Sequence, residues 1–195
     1  MKHRSEIEVK LEVKNPRALK RCLRELGFRC IEPRHLETNT LFDFPDTRLR
    51  AARCLLRLRH ARNQWILTYK GAPLPSDSYK IRVELETAVE DGELLKKIFA
   101  ALGLEVPFRY EKFRTVYAQT GPLQGARHAR AVLDETPIGN YLELEGPKRW
   151  IDEVARRLGF QRQDYITASY ATLYRRKCEQ QGVQPRDLLF PRRKS

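Results

Sequence analysis

The chain has 195 residues, of which 38 are Lys or Arg and 25 are Asp or Glu, so its formal net charge at pH 7 is +13. This length fits one domain with a substantial core, and no apolar run in it is long enough to span a bilayer. The first residues lack the apolar core of a signal peptide. Such a basic chain indicates a polyanionic partner, and composition alone does not choose between nucleic acid and a nucleotide or polyphosphate.

The four cysteines show neither CxxC nor metal-finger spacing: Cys22, Cys30, Cys54 and Cys178. Reduced thiols in the cytoplasm are the simplest account of them. We therefore expect a cytoplasmic protein that does not associate with a membrane.

Charged and apolar residues alternate through the opening segment, residues 4–14, and this predicts a strand with Glu6, Glu8 and Lys10 on one face. A helix is expected to follow the N-cap Asn15. Further strands in the first half are predicted within residues 34–44, 54–60 and 64–70.

The second half repeats this combination of alternating strands and amphipathic helices. Strands are predicted at residues 79–86, 108–119, 129–135 and 141–145, and helices at 91–102, 148–158 and 164–179, with loops at 72–78 and 121–125. The helix at 91–102 is expected to bury Leu94, Leu95, Ile98 and Leu102. Residues 1–180 read as one domain, and residues 181–195 as an extended basic tail.

The strands can be sorted by the charge on their polar faces. Carboxylates come from Glu6, Glu8, Glu84, Glu86, Asp134, Glu143 and Glu145. Cations come from Lys10, Arg57, Arg59, Lys70, Lys80, Arg82, Lys112 and Arg114. The opposite faces are apolar, and they are the only large surface on which the helices can bury their stripes.

Two arrangements of these strands are possible, an open sheet with its charged face in water or a closed sheet with that face inside. Segregated carboxylate pairs and Arg/Lys pairs favour closure, because counter-ions could then offset each group. The predicted fold is therefore α+β: an eight-stranded antiparallel closed barrel, or tunnel, with a charged interior and amphipathic helices outside.

This interior would suit phosphate chemistry. Clustered carboxylate oxygens bind hard ions such as Mg²⁺ or Mn²⁺. Arginine forks and lysines bind phosphate oxygens. We therefore predict that the seven acidic residues above are metal ligands or orient water, and that the eight basic residues bind phosphates.

Several short segments, taken in order, resemble the motifs of one family. They are Glu6-x-Glu8-x-Lys10, Leu56-Arg57-Leu58-Arg59, Thr68-Tyr69-Lys70-Gly71, Arg82-x-Glu84-x-Glu86, Lys112-x-Arg114, Leu133-Asp134 with Gly139 and Glu143-x-Glu145, and Ser169-Tyr170 with Leu173. The set is similar to that of the CYTH superfamily, the triphosphate tunnel metalloenzymes. The resemblance implies an eight-stranded tunnel that holds Mg²⁺ or Mn²⁺ and a triphosphate. Leu41 stands near where many relatives carry an aromatic residue.

The sequence thus predicts a metal-dependent phosphohydrolase of triphosphate-bearing substrates, with inorganic triphosphate as the first candidate. Glu6, Glu8, Lys10 and Lys70 are the expected catalytic residues. A class IV adenylate cyclase, which would act on ATP, and a non-catalytic binder of polyphosphate or RNA are the alternatives. Nucleic acid is disfavoured as a partner because carboxylate pairs would repel it without metal, and a homodimer is left open.

Overall fold

The structure is a computed structural model that describes residues 4–76, 78–119 and 129–192. Eight strands lie in this described part: β1 (Arg4–Glu12), β2 (Phe28–Asp43), β3 (Leu55–Ala61), β4 (Gln64–Lys70), β5 (Lys80–Val89), β6 (Glu105–Gln119), β7 (Arg130–Thr136) and β8 (Gly139–Glu145). The α-helices are α1 (Pro16–Glu25), α2 (Arg48–Ala51), α3 (Gly92–Ala101), α4 (Lys148–Arg157) and α5 (Tyr170–Gln181), with a 3₁₀ turn at Arg162–Asp164. None of these helices is both long and apolar enough to cross a bilayer.

The strands form a closed antiparallel barrel in the order β1-β5-β4-β3-β2-β6-β7-β8, with β8 pairing back to β1. This confirms the predicted tunnel. The register places Glu8 opposite both Lys80 on β5 and Glu145 on β8, and it places Lys10 opposite Glu143. A slip of one residue would turn every charged side chain outward, so the apolar outer face fixes this register.

The main hydrophobic core lies outside the barrel wall, between β1, β8 and the helices. Val9 and Leu144 are fully buried there, together with Leu23 of α1 and Ile151 of α4. The side chain of Asn15 accepts a hydrogen bond from the N–H of Ala18, as expected for the N-cap of α1. Helices therefore cover the apolar face of this part of the wall, and the alternate residues of the same strands point inward.

The expected burial of the α3 stripe is wrong for three of its four residues, while Leu95 is half-buried. Leu94, Ile98 and Leu102 are 52%, 46% and 65% exposed. The helix packs instead through Gly92 against Trp65, and through Phe99, whose ring centroid lies 5.0 Å from that of Phe42. Periodicity finds an apolar stripe, but it does not decide which of two adjacent stripes faces the barrel when both contain large apolar residues.

Two element boundaries also differ from the prediction. β2 begins at Phe28 rather than near residue 34, and its pairing with β6 is irregular around Glu32–His35, where Pro33 lacks an N–H. The last helix begins at Tyr170, after the N-cap Ser169, rather than at residue 164. In the preceding stretch Ile166 pairs with the backbone of Lys10, so residues there extend the barrel wall. The predicted loop at 121–125 lies outside the described residues.

Residues 183–192, which follow Gly182, form no helix or strand apart from a bridge at Leu188, and they pack on the barrel. Leu188 pairs in parallel with Tyr110 of β6. Its side chain is buried in a cluster with Tyr110, Tyr141 and Tyr170. The carboxylate of Asp187 accepts a hydrogen bond from the backbone N–H of Arg109 at 2.8 Å. These contacts hold the segment beside the part of β6 that precedes its pairing with β7.

Candidate active site

The barrel interior is a polar cavity of about 190 Å³. Charged residues dominate its lining, and several of them are almost fully buried, including Glu8, Lys10, Arg57 and Lys112. Fourteen of the fifteen site residues predicted from the sequence line it: Glu6, Glu8, Lys10, Arg57, Arg59, Lys70, Lys80, Arg82, Glu84, Glu86, Lys112, Arg114, Glu143 and Glu145. Asp134 lies beside the cavity, behind Lys112 and Arg114. The fold therefore brings these distant segments together; their roles stay predictions.

Three of the carboxylates form a tight group. One oxygen from each of Glu6, Glu8 and Glu145 lies within 4.8 Å of the others. β1 supplies Glu6 and Glu8 at i and i+2, and the β1–β8 pairing adds Glu145. Burial and the charge of Glu6 raise the pKa of Glu145 to about 7. An oxygen-only group with this much mutual repulsion fits a hard divalent cation.

Three lysines surround this carboxylate group. Lys80 and Lys10 lie 2.5 Å and 3.2 Å from Oε1 of Glu8, and Lys70 lies 2.6 Å from Oε2 of Glu6. Burial lowers the pKa of Lys80 to about 8, and the charges of Lys10 and Lys70 add to this effect. A phosphate anion beside Lys80 would favour its protonated form.

Glu84 and Glu86 lie on β5 next to the lysines and arginines. Burial and a hydrogen bond shared with Glu6 raise the pKa of Glu84 to about 8, while Lys70 lies 3.0 Å from its Oε2. Glu86 accepts a hydrogen bond from Thr68 at 2.8 Å and lies 3.5 Å from Arg57. Among the described residues, the tight carboxylate group consists of Glu6, Glu8 and Glu145, and it includes neither Glu84 nor Glu86.

A second polar network connects β6, β7 and β8. Asp134 is fully buried and accepts hydrogen bonds from Lys112 at 2.8 Å, from Arg114 at 2.7 Å through two nitrogens, and from the hydroxyl of Tyr170 at 2.9 Å. Glu143 pairs with Arg114 at 2.6 Å and with Lys10 at 3.0 Å. Asp134 and Glu143 are thus both paired with basic side chains of the interior.

Four residues of the interior were not predicted as site residues, although Tyr170 was named as part of a motif. Glu37 is almost fully buried, 3.5 Å from Lys112 and 3.8 Å from Arg59, and Asn39 lies beside it on the same face. Tyr170 and Arg130 line the cavity itself. Alternation through His35, Glu37, Asn39 and Leu41 is a signal that could have identified the β2 pair. Tyr170 belongs to the Ser169-Tyr170 motif, which did not place it in the tunnel, and no local pattern marks Arg130.

A sequence model of the CYTH domain matches residues 4–170. The chain belongs to the CYTH domain family. A protein of Methanocaldococcus jannaschii, whose name assigns it provisionally to the adenylate cyclases, is 29% identical over 141 residues, which are 72% of this chain and 75% of that relative.

Solved CYTH-like structures share the fold. A Pyrococcus horikoshii protein is 27% identical, with a TM-score of 0.67 over 85% of this chain and 96% of its own. A Vibrio parahaemolyticus protein, described provisionally as an adenylate cyclase, is 17% identical with a TM-score of 0.73 over 87% and 97%. A Hippeastrum protein is 18% identical with a TM-score of 0.59 over 92% and 97%. The last is described provisionally as an adenylyl cyclase, with a dominant triphosphatase activity.

Proposed function

We propose that this CYTH protein is a metal-dependent hydrolase of a triphosphate-bearing substrate. The observation that carries the proposal is the juxtaposition, inside one closed barrel, of the oxygen group Glu6–Glu8–Glu145 with Lys10, Lys70 and Lys80. Family membership supports it, as does the activity given for the Hippeastrum protein. Hydrolysis is preferred because it needs only positioned phosphates, charge neutralisation and water in line with the terminal phosphorus.

In this proposal Glu6, Glu8 and Glu145 hold Mg²⁺ or Mn²⁺. A bound ion would neutralise charge on phosphate oxygens and lower the pKa of a water molecule. The lysines now paired with these carboxylates would turn to the phosphates, together with Arg57, Arg59, Arg82, Lys112 and Arg114. Glu84, Glu86, Asp134 and Glu143, predicted as further ligands, would orient water or these cations.

A class IV adenylate cyclase is the second candidate, favoured by the name of the Methanocaldococcus relative. It would use the same cations, but a ribose hydroxyl would attack the α-phosphate of ATP. A non-catalytic polyphosphate or RNA binder is disfavoured, because Glu6, Glu8 and Glu145 would repel a polyanion in the absence of a metal ion. The cytoplasmic location, a homodimer and a domain that ends at residue 180 stay predictions.

The test is an assay of the purified protein with inorganic triphosphate, ATP and thiamine triphosphate, with Mg²⁺ or Mn²⁺ and with a chelator. We expect metal-dependent phosphate release; cyclic AMP with pyrophosphate would identify the cyclase instead. Glu8→Gln should reduce turnover by at least about 100-fold, because it removes a charge from the metal-binding group. Glu12→Gln, an exposed site on the same strand, is the matched control. Full activity of Glu8→Gln would exclude the assigned site.

A further inference from the structure

A wide cleft opens beside the tunnel. Its volume is about 960 Å³, against about 190 Å³ for the polar cavity, and this is within the range of cavities that bind small organic ligands. The cleft and the polar cavity share the lining residues Leu41, Leu55, Lys80, Arg82, Ser169 and Ala171. The two spaces are therefore adjacent, so the cleft is the nearest space for a group attached to a phosphate chain in the tunnel.

The lining of the cleft is more apolar than that of the tunnel. Leu49, Leu74 and Pro75 contribute aliphatic surface. Phe108 and Tyr174 contribute two stacked rings, with centroids 6.1 Å apart and planes 28° from parallel. Free inorganic triphosphate has no apolar surface to bury against these side chains, whereas an aromatic ring has. The lining therefore suits an organic group carried by the triphosphate.

The charges of the cleft restrict that group further. Its two carboxylates are already engaged: Asp43 accepts hydrogen bonds from the backbone N–H groups of Phe44, Leu49 and Arg50, and Asp187 pairs with Arg109. The cleft also carries Arg50, Arg53, Arg175 and Arg186, and the ion pairs found among the described residues include none of these four. A cationic organic group would be repelled here, and a neutral one would not.

One wall of the cleft comes from the C-terminal segment. The family match ends at residue 170, whereas Tyr174, Arg175, Arg186 and Asp187 line the cleft beyond it. The backbone of Leu188 holds this wall on β6 through hydrogen bonds of 2.9 Å, donating to Arg109 and accepting from Glu111. The wall is therefore fixed to the barrel.

We propose that this cleft binds the organic group of a triphosphate ester, a neutral aromatic base with its sugar, and that Tyr174 and Arg175 of the C-terminal wall select it. The substrate is then a nucleoside triphosphate rather than inorganic triphosphate or a cationic ester. The proposal rests on the proposed function in that the tunnel must hold the triphosphate. It goes beyond that function by naming the attached group and the residues that recognise it.

The test compares ATP, thiamine triphosphate and inorganic triphosphate as substrates, and it measures their equilibrium binding by calorimetry in the presence of Mg²⁺ or Mn²⁺. The wild type should prefer ATP to thiamine triphosphate by about tenfold or more in kcat/KM. Tyr174→Ala should lower the ratio of kcat/KM for ATP to that for inorganic triphosphate by about tenfold, mainly through KM. Arg175→Glu should lower this ratio too, whereas Arg176→Glu, an exposed neighbour outside the cleft, should not.

The binding measurement separates this proposal from the proposed function. Absence of turnover with every substrate would overturn the hydrolase and cyclase assignments, while tighter binding of ATP that is weakened by Tyr174→Ala would still support the cleft. Equal affinity of the wild type for ATP and thiamine triphosphate would overturn the cleft proposal, even if hydrolysis is fast. An unchanged substrate ratio in both Tyr174→Ala and Arg175→Glu would also overturn it.

Discussion

Tyr170 joins three cations of the tunnel to one carboxylate. Its hydroxyl donates to Asp134 at 2.9 Å, and its ring centroid lies 5.3 Å from the Nζ atoms of both Lys10 and Lys112. Asp134 in turn holds Arg114. From the sequence, Tyr170 could be placed only on a C-terminal helix. Which strand its hydroxyl reaches depends on where α5 docks, and that information is not local.

Replacing Tyr170 by Phe should therefore remove one hydrogen bond to a buried charged acceptor and keep the ring. We expect a loss of about 1.5–3 kcal/mol in the free energy of unfolding, measured by urea denaturation. Tyr174→Phe is the control, since the hydroxyl of Tyr174 makes a 3.4 Å contact with the N–H of Arg186 and, in the described structure, no hydrogen bond to a carboxylate. Equal stability of Tyr170→Phe and wild type would show that the hydrogen bond from Tyr170 to the carboxylate of Asp134 does not stabilise the fold.

At the scale of elements, alternation predicted the strand interiors well because the period of two is tied to the two faces of the wall. Alternation predicted poorly where strands and helices begin and which helix face packs on the barrel. β2 runs through Pro33, where an irregular register lets the strand continue, and the start of α5 depends on the Ser169 cap and on the pairing of Ile166 with Lys10. The face through which α3 docks depends on Gly92, because only a residue without a side chain leaves room for Trp65 there. A count of apolar residues does not detect this.

Gly92→Ala tests how α3 docks. Helix propensity alone predicts stabilisation by up to about 1 kcal/mol. The structure predicts the opposite sign, because a Cβ at this position would overlap the ring of Trp65, and over-packing costs about 1–3 kcal/mol. Thermal and urea unfolding decide the sign, with Glu93→Ala at the next, exposed position as the control. A stabilised Gly92→Ala variant would mean that α3 does not pack on Trp65.

For the whole molecule, the segregation of carboxylates and cations on strand faces was enough to predict a closed barrel, because unpaired like charges inside would oppose folding. It was not enough to predict the pairing inside. Asp134 was predicted as a metal ligand by its type, which stays a prediction, and its contacts with Lys112, Arg114 and Tyr170 were not predicted. Glu37 was missed, although Lys112 and Arg59 both lie near its carboxylate. The sequence shows which charged residues face the interior, whereas the strand register determines which of them pair with one another.

This pairing makes the stability of the protein sensitive to acid. Burial opposes ionisation of Glu37, but Arg114, Lys112 and Arg59 outweigh it and lower the pKa of its carboxyl below the ordinary value of 4.5. A carboxyl whose pKa is lower in the folded state contributes stability above its unfolded pKa and loses it as the pH falls through the folded pKa. The free energy of unfolding should therefore begin to fall below about pH 4.5.

Glu37→Gln removes this contribution. At pH 7 the variant should be less stable than the wild type by about 3 kcal/mol, because three cations lose a buried partner. The difference should shrink as the pH falls below about 4, since the carboxyl of the wild type then takes up a proton in the unfolded state, and this stabilises the unfolded state relative to the folded one. Urea denaturation between pH 3 and pH 7 measures both curves, with Glu12→Gln as an exposed control on β1. A stability difference that stays constant over this range would show that Glu37 contributes by shape rather than by charge.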